Sequence, residues 1–339
     1  MSDSLSVAVV GAGAWGTALA ALLATKGHDV TIWSYEAEVA ESINERHVNP
    51  YLIDISLPEQ LRAATELGAA VAGADVVLSA SPSQFVRSIM GEAAEHLASE
   101  ALIVSASKGI ELGSLLRMDE VLAAVLPEEH MRRFCVLSGP SFAREVAKKL
   151  PTAVVIAGRS EEVAERAQGV FQTSQFRVYT NTDVTGVELG GALKNVMALA
   201  AGMTHGLGYG HNTMAALITR GLAEMTRLGV AMGAEAATFS GLAGMGDLIT
   251  SCYSGLSRNR FVGQELAKGL SAAEIVAGMD QVAEGIKTTH AAVTVAESLG
   301  VDMPIARVTM AVLDGELDPN SAIAGLMTRA PVSETESTH

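Results

Sequence analysis

Lys194 and Asn195 interrupt a stretch, 187–208, that is otherwise dominated by Ala, Leu, Met, Val and Gly. A lysine on an apolar helix must snorkel, pair or lose its proton. Burial and nearby cations draw its pKa down towards the range useful for general acid–base work. The plain alternative is an exposed helix lysine. Asp247 ends the run Gly241-Leu-Ala-Gly-Met-Gly-Asp247, where so much glycine before one carboxylate suggests backbone shaped around a site. A helix N-cap is the competing role, and the two are compatible. Ser257-Arg-Asn-Arg260 offers Arg258 as a bidentate phosphate fork with Asn259 as a neutral donor beside it; a charged surface loop would read the same way. Lys108, in Ser105-Ala-Ser-Lys-Gly109, stands just past an apolar run, as a ligand-facing cation or as a solvated surface lysine.

A second constellation is Gly11-Ala-Gly-Ala-Trp-Gly16, directly after an apolar run and directly before a helical pattern. In that setting Gly11 permits the tight turn and Gly13 lets backbone N–H groups approach a pyrophosphate. Gly16 allows close packing, and the helix N-terminus faces the anion. An acid for the ribose 2′-hydroxyl is expected at the tip of the next strand. The sequence there is Trp33-Ser-Tyr-Glu36, so the only acid comes late and no arginine is present. NAD and NADP both stay open, with a leaning towards acceptance of NADP because one device against a 2′-phosphate is missing. Ser79-Ala-Ser-Pro-Ser83 ends a further strand, as a ribose or nicotinamide neighbour or as a simple proline turn. Ser138-Gly-Pro-Ser141 supplies small residues and hydroxyls after another strand. It lacks the GxSxG form of a serine nucleophile. Glu284, in Gln281-Val-Ala-Glu-Gly285, is placed to bond a nicotinamide carboxamide or ribose.

The elements that must position these residues follow from the pattern. Short apolar runs at Val7–Val10, Val30–Trp33, Asp75–Ala80, Ala101–Ser105, Phe134–Leu137 and Thr152–Ile156 alternate with amphipathic stretches, as in βαβ units. Continuous rather than alternating apolar strands predict a sheet covered on both faces. A helix is predicted over Thr17–Lys26, closed by Gly27. After Asp183 the strand-like bursts stop, and the chain to about Arg329 reads as helices joined by glycine-rich loops. The predicted fold is a doubly wound α/β domain over 1–185, an all-helical domain over 186–330 and a frayed polar tail over 331–339.

The 339 residues carry a formal charge of −15, which argues against nucleic acid and anionic membranes as partners. No apolar run reaches the roughly 18 residues of a membrane span. The start, Met1-Ser-Asp-Ser-Leu-Ser, is unlike a signal peptide. Cys135 and Cys252 are the only cysteines and lie far apart, so neither a disulfide framework nor a metal site is expected. A reducing cytoplasm is the expected location.

Taken in order, Gly11–Gly16, Ser107-Lys108-Gly109, Ser138-Gly-Pro-Ser141-Phe142-Ala143, Leu193-Lys194-Asn195, Gly246-Asp247-Leu248 and Ser257-Arg258-Asn259 resemble the bacterial NAD(P)-dependent glycerol-3-phosphate dehydrogenases over essentially the whole chain. The resemblance implies a Rossmann-type domain followed by a helical domain like the C-terminal one of 6-phosphogluconate dehydrogenase. It implies reversible hydride transfer between NAD(P)H and dihydroxyacetone phosphate, giving sn-glycerol 3-phosphate for glycerophospholipid synthesis, and no metal. A homodimer is the expected assembly. By the same resemblance Lys194 is the proton donor and acceptor, Asp247 orients it, and Lys108 assists at the substrate oxygens. Gly139, Ser141, Ser257, Arg258 and Asn259 are implied as substrate contacts alongside those three. Ala14, Trp15, Tyr35, Lys108, Ala143, Arg258, Val282 and Glu284 are implied as dinucleotide contacts; many relatives carry Ser where this chain has Ala14. Two rivals share parts of the pattern. A hydroxyacid or 6-phosphogluconate-type dehydrogenase should lack the Ser257–Asn259 phosphate site, and a non-catalytic dinucleotide sensor would not need both Lys194 and Asp247.

Overall fold

The computed structural model describes residues 4–279, 281–331, 333 and 334; most of the expected polar tail lies outside the described residues. The chain divides into two compact units. The first comprises residues up to Ser107 together with Met118–Val184, and the second Lys108–Arg117 together with the residues from Thr185 onward. Lys108–Arg117 falls inside the sequence span expected for the first domain, yet it groups with the second unit.

The first unit is built on one sheet of β1 (Ser6–Val10), β2 (Asp29–Trp33), β3 (Arg62–Ala64), β4 (Val76–Ser79), β5 (Leu102–Ser105), β6 (Phe134–Ser138), β7 (Thr152–Gly158) and β8 (Phe176–Asn181). The order is β3-β2-β1-β4-β5-β6-β7-β8, and every pair is parallel except β6 with β7. All residues of β4, β5 and β6 are buried, which is why those runs are continuously apolar. Val10 is in register with both Trp33 and Ser79, and Ser79 with Ser105. The turns after β1, β2, β4 and β5 therefore leave one edge of the sheet side by side.

Two strands had no apolar run to announce them. β3 is only Arg-Ala-Ala, paired along the outer edge of β2. β8 alternates buried Phe176 and Val178 with exposed Arg177 and Tyr179, as an edge strand with one wet face does. The first helix starts earlier than its apolar pattern, spanning Ala14–Lys26. It ends on Gly27 at φ 102°, whose N–H bonds back to Leu23 and Ala24, the predicted left-handed cap.

The second unit has its own apolar core, drawn from helices Val184–Gly206, His211–Ala231, Asp247–Tyr253, Arg258–Ala267, Glu284–Ser298 and Pro304–Leu313, with Ile110 buried in it. Glycines set how close these helices come. A Cβ at Gly263 would lie 2.1 Å from the Leu199 carbonyl, and one at Gly202 would lie 2.1 Å from that of Arg260. Helices 184–206 and 258–267 thus touch backbone to backbone. A Cβ at Gly190 would sit 2.7 Å from the Ala243 carbonyl, so the π-helical turn Leu242–Gly246 rests directly on the same long helix. Buried Glu224 accepts from the N–H groups of Ile305 and Ala306 at 2.7 and 3.2 Å, capping Pro304–Leu313. Among the described residues no helix is long and apolar enough to cross a membrane.

Gly263→Ala should lower unfolding stability by about 1–3 kcal/mol in urea titration, the usual cost of overpacking a tight contact. Gly169→Ala is the control, in a helix with nothing within 4 Å of the new methyl. It should raise stability by about 0.5–1 kcal/mol through helix propensity. Equal effects would show that the close helix contact does not set the packing.

Candidate active site

The first unit carries a cradle for an anion. Gly11 has φ 120°, and a Cβ there would come within 3.0 Å of the Ala80 and Ser81 backbone. A Cβ at Gly16 would lie 2.0 Å from the Gly11 carbonyl. Gly16 is thus needed first for the turn's own closure and only secondarily for packing on the sheet. Gly13 differs: it precedes the first helical residue, and a Cβ there would meet nothing within 4 Å. The space lies in front of the free N–H groups of Ala14 and Trp15, which suits a pyrophosphate. Behind the turn, buried Asn49 donates to the Ala12 carbonyl at 2.9 Å and to the Thr17 hydroxyl at 2.8 Å. These residues fit a dinucleotide. Tyr35 is 88% exposed just past β2. Gly139 follows β6 at φ 128° and accepts at its carbonyl from the Ser141 hydroxyl, 2.9 Å away. Ala143 opens the short helix Ala143–Ala147, which packs on Ala14–Lys26.

In the second unit three sequence-predicted residues converge. The Lys108 ammonium is 2.7 Å from Asp247 Oδ2, and that of Lys194 is 3.1 Å from Oδ1. Lys194 also donates to Ser251 Oγ at 2.7 Å. The Asp247 side chain is 4% exposed, against 12% for Lys194 and 18% for Lys108. Asp247 is not a cap: it is the first residue of helix Asp247–Tyr253, and its carboxylate faces ammonium groups rather than backbone N–H. Gly190 explains the meeting. It seats the 242–246 turn one helical turn before Lys194, so the following helix starts opposite that lysine. Arg117, 3.9 Å from Glu188, and buried Ile110 hold the Lys108 segment to the same unit.

The electrostatics are those of a buried, charged cluster. Burial lowers the pKa of Lys194; Asp247 opposes this and Lys108 adds to it, and the net shift is downward. Burial alone would raise Asp247, but the ammonium groups of Lys108 and Lys194 outweigh it and hold the carboxyl below its ordinary value. Lys194 is therefore a charged donor closer to neutrality than an ordinary lysine, beside a fixed carboxylate.

The remaining predicted residues form a neighbouring set. Asn259 is buried; it donates to Asn195 Oδ1 at 2.8 Å and accepts from the Gly285 N–H at 2.9 Å. A Cβ at Gly285 would come within 2.7 Å of Asn259 Oδ1, so the Val282–Glu284 segment is pinned against the start of helix Arg258–Ala267. Ser257 caps that helix, accepting from Arg260 N–H, which leaves its hydroxyl proton available. Arg258 stands beside it; loss of solvent around its guanidinium lowers its pKa, and the Glu284 carboxylate opposes that shift without cancelling it. Ser251 joins the cluster although it was not among the predicted site residues. The signal was its place four residues after Asp247, on the same helix face. Among the described residues, no group of three or more His, Cys, Asp or Glu is placed to hold a metal.

Comparison with known proteins decides the family. Residues 6–164 match the model of the NAD-dependent glycerol-3-phosphate dehydrogenase N-terminus, and residues 183–324 that of its C-terminus. The chain belongs to the NAD-dependent glycerol-3-phosphate dehydrogenase family. A glycerol-3-phosphate dehydrogenase [NAD(P)+] of Geobacter metallireducens is 54% identical over 97% of this chain and 98% of its own length. That of Syntrophotalea carbinolica is 50% identical over 98% and 100%. The crystal structure of a glycerol-3-phosphate dehydrogenase from Coxiella burnetii superposes with a TM-score of 0.91 at 36% identity, covering 96% of this chain and 99% of that one. Family membership accounts for the ordered motif set.

The pKa directions predict how Lys194 titrates. Its rate of acylation, followed by mass spectrometry against pH, should reach half-maximum below that of an ordinary lysine. Asp247→Asn removes the carboxylate that opposes the shift and should move the midpoint lower still. A wild-type midpoint at the ordinary lysine value would contradict the burial of this ammonium.

Proposed function

We propose that this chain catalyses reversible hydride transfer between NAD(P)H and dihydroxyacetone phosphate, giving sn-glycerol 3-phosphate. The observation that carries the reading is the Lys108–Asp247–Lys194 cluster, two ammonium groups sharing one buried carboxylate. The turn Gly11–Gly16, with Ala14 and Trp15, holds the pyrophosphate, and Tyr35, Ala143, Val282 and Glu284 complete the dinucleotide contacts. Bound reduced nicotinamide supplies a hydride to the substrate's carbonyl carbon.

As that carbon is reduced, the C=O π pair moves onto oxygen and negative charge develops there. Lys108 and Lys194 stabilise the charge. Lys194 then gives its Nζ proton to the alkoxide and is left as a neutral amine, to be reprotonated from solvent. In the oxidative direction the neutral amine takes the proton of the alcohol. Asp247 keeps Lys194 charged before transfer despite its burial and fixes its direction, with Ser251 Oγ as a second anchor. Arg258 forks the phosphate, aided by the Ser257 hydroxyl, the second amide hydrogen of Asn259, Gly139 and Ser141. Phosphate binding holds the carbonyl in line and so lowers the entropic part of the barrier. The same reading makes the protein a cytoplasmic homodimer that supplies sn-glycerol 3-phosphate to glycerophospholipid synthesis.

Comparing turnover of dihydroxyacetone phosphate with that of small hydroxyacids separates this reading from the hydroxyacid dehydrogenases; no activity on the former would overturn it. Lys194→Ala should lower kcat by at least about a hundredfold, the scale of lost general acid catalysis; near-normal turnover in folded protein would remove Lys194 from its role. Arg258→Ala should act chiefly on KM for dihydroxyacetone phosphate, since a phosphate fork contributes ground-state binding. Unchanged KM and kcat/KM would contradict it.

A further inference from the structure

Glu188 is a buried acid on the long helix that none of the proposed steps uses. It lies six residues before Lys194 on the continuous helix Val184–Gly206, roughly 9 Å along its axis. Its Oε2 is 3.9 Å from Arg117 Nε, and the two side chains are 5% and 12% exposed. A buried ion pair contributes little net stability over apolar packing, and its best-attested use is to fix register. Apolar anchorage is already present here, with Ile110 fully buried in the helical core and Leu115 packed against that core.

The partner of Glu188 is joined rigidly to Lys108. Ile110 pairs antiparallel with Arg117. Inside that pair the Glu111 N–H donates to the Leu116 carbonyl at 2.9 Å, and the Leu115 N–H to the Glu111 carbonyl at 3.0 Å. The Ser114 hydroxyl closes the loop onto the Glu111 carboxylate. Residues 110–117 are thus a closed hairpin, with Lys108 two residues before its first pair, so a shift at Arg117 carries Lys108 with it. One helix thereby gauges the whole cluster. Glu188 grips the hairpin of Lys108, Gly190 seats the turn that leads to Asp247, and Lys194 projects from the same rod.

We infer that Glu188, acting through Arg117, is a positioning residue that sets the reach of the Lys108 ammonium to Asp247. It deepens the proposed reaction, in which Lys108 stabilises the developing alkoxide, but its main test needs no turnover. Burial, Lys108 and Arg258 draw the pKa of Lys194 down, and Asp247 opposes them. A hairpin released from Glu188 takes the Lys108 charge away from Lys194. The pH midpoint of Lys194 acylation in Glu188→Gln should therefore rise by at least about half a pH unit, a part of what a like charge within a few ångströms imposes. Loss of the Glu188 charge acting directly across space would lower the midpoint instead, so the sign separates the two. Lys108→Met should raise the midpoint by itself, and adding Glu188→Gln to it should move the midpoint no further.

Circular dichroism establishes that each variant is folded. The double variant Arg117→Gln/Glu188→Gln leaves no unpaired buried charge, and it reads the same rise should Glu188→Gln fail to fold. An unmoved or lowered midpoint in the folded variant, or an equal further rise in the Lys108→Met background, would overturn the inference and leave the pair a plain structural anchor. In turnover, Glu188→Gln should lower kcat for dihydroxyacetone phosphate at least about tenfold, less than outright loss of an alkoxide-stabilising donor, with KM for NAD(P)H unchanged. Absence of wild-type turnover would overturn the reaction reading and leave the midpoint to decide the role of Glu188.

Discussion

A carboxylate buried between two ammonium groups constrains everything around it. Removing one partner from such a buried pair costs about 3–5 kcal/mol, because the other charge is left without water and without a counter-ion. Asp247 therefore holds its low pKa only while Lys108 and Lys194 both stay within reach. Three separate stretches of chain must be placed to within a few tenths of an ångström, and the packing of the helical unit is organised to do so. Gly190 lets the 242–246 turn sit on the long helix, Ile110 anchors the segment of Lys108, and Ser251 takes up a further Lys194 hydrogen.

The same long helix carries a second neutral network one residue further on. Asn195 joins Asn259, and Asn259 joins the backbone of Gly285. Charged and neutral groups are thereby kept on separate arms. One arm can change protonation while the other holds geometry, which suits a site that must move a proton without shifting its substrate. The glycine contact between Gly202 and Gly263 keeps helix Arg258–Ala267 in step with the helix of Lys194, so that Asn259 and Asn195 meet.

In the sheet unit the constraint is steric rather than electrostatic. Gly11 is forced by its positive φ and by the approach of Ala80 and Ser81, and Gly16 by the Gly11 carbonyl. Gly13 alone is left facing open space, where an anion can approach the helix N-terminus. Parallel register then brings the turns after β1, β2 and β4 to one edge, so a short glycine motif acquires neighbours from distant sequence.

Some of this was legible in the chain alone. Continuous apolar runs announced six strands, because strands covered on both faces need no polar side. The residue types marked Lys108, Lys194 and Asp247 as candidates with surface or capping alternatives, and only the family resemblance set Asp247 beside Lys194; the fold shows that all three meet. β3 and β8 escaped notice because an edge strand is recruited by its neighbour's free hydrogen-bonding groups and not by its own composition. Ser251 escaped because a serine carries no sign of what faces it until the helix is placed. Glu36 shows the division most clearly. Sequence supplied the acid and its lateness, while the Ser34 hydroxyl on the Glu36 carbonyl and the Tyr51 hydroxyl on the Glu36 carboxylate decided where its charge stands. Local sequence determines which groups are available and which backbone shapes are allowed; only the long-range pairing of strands and helices determines which of those groups share a few ångströms of low-dielectric space.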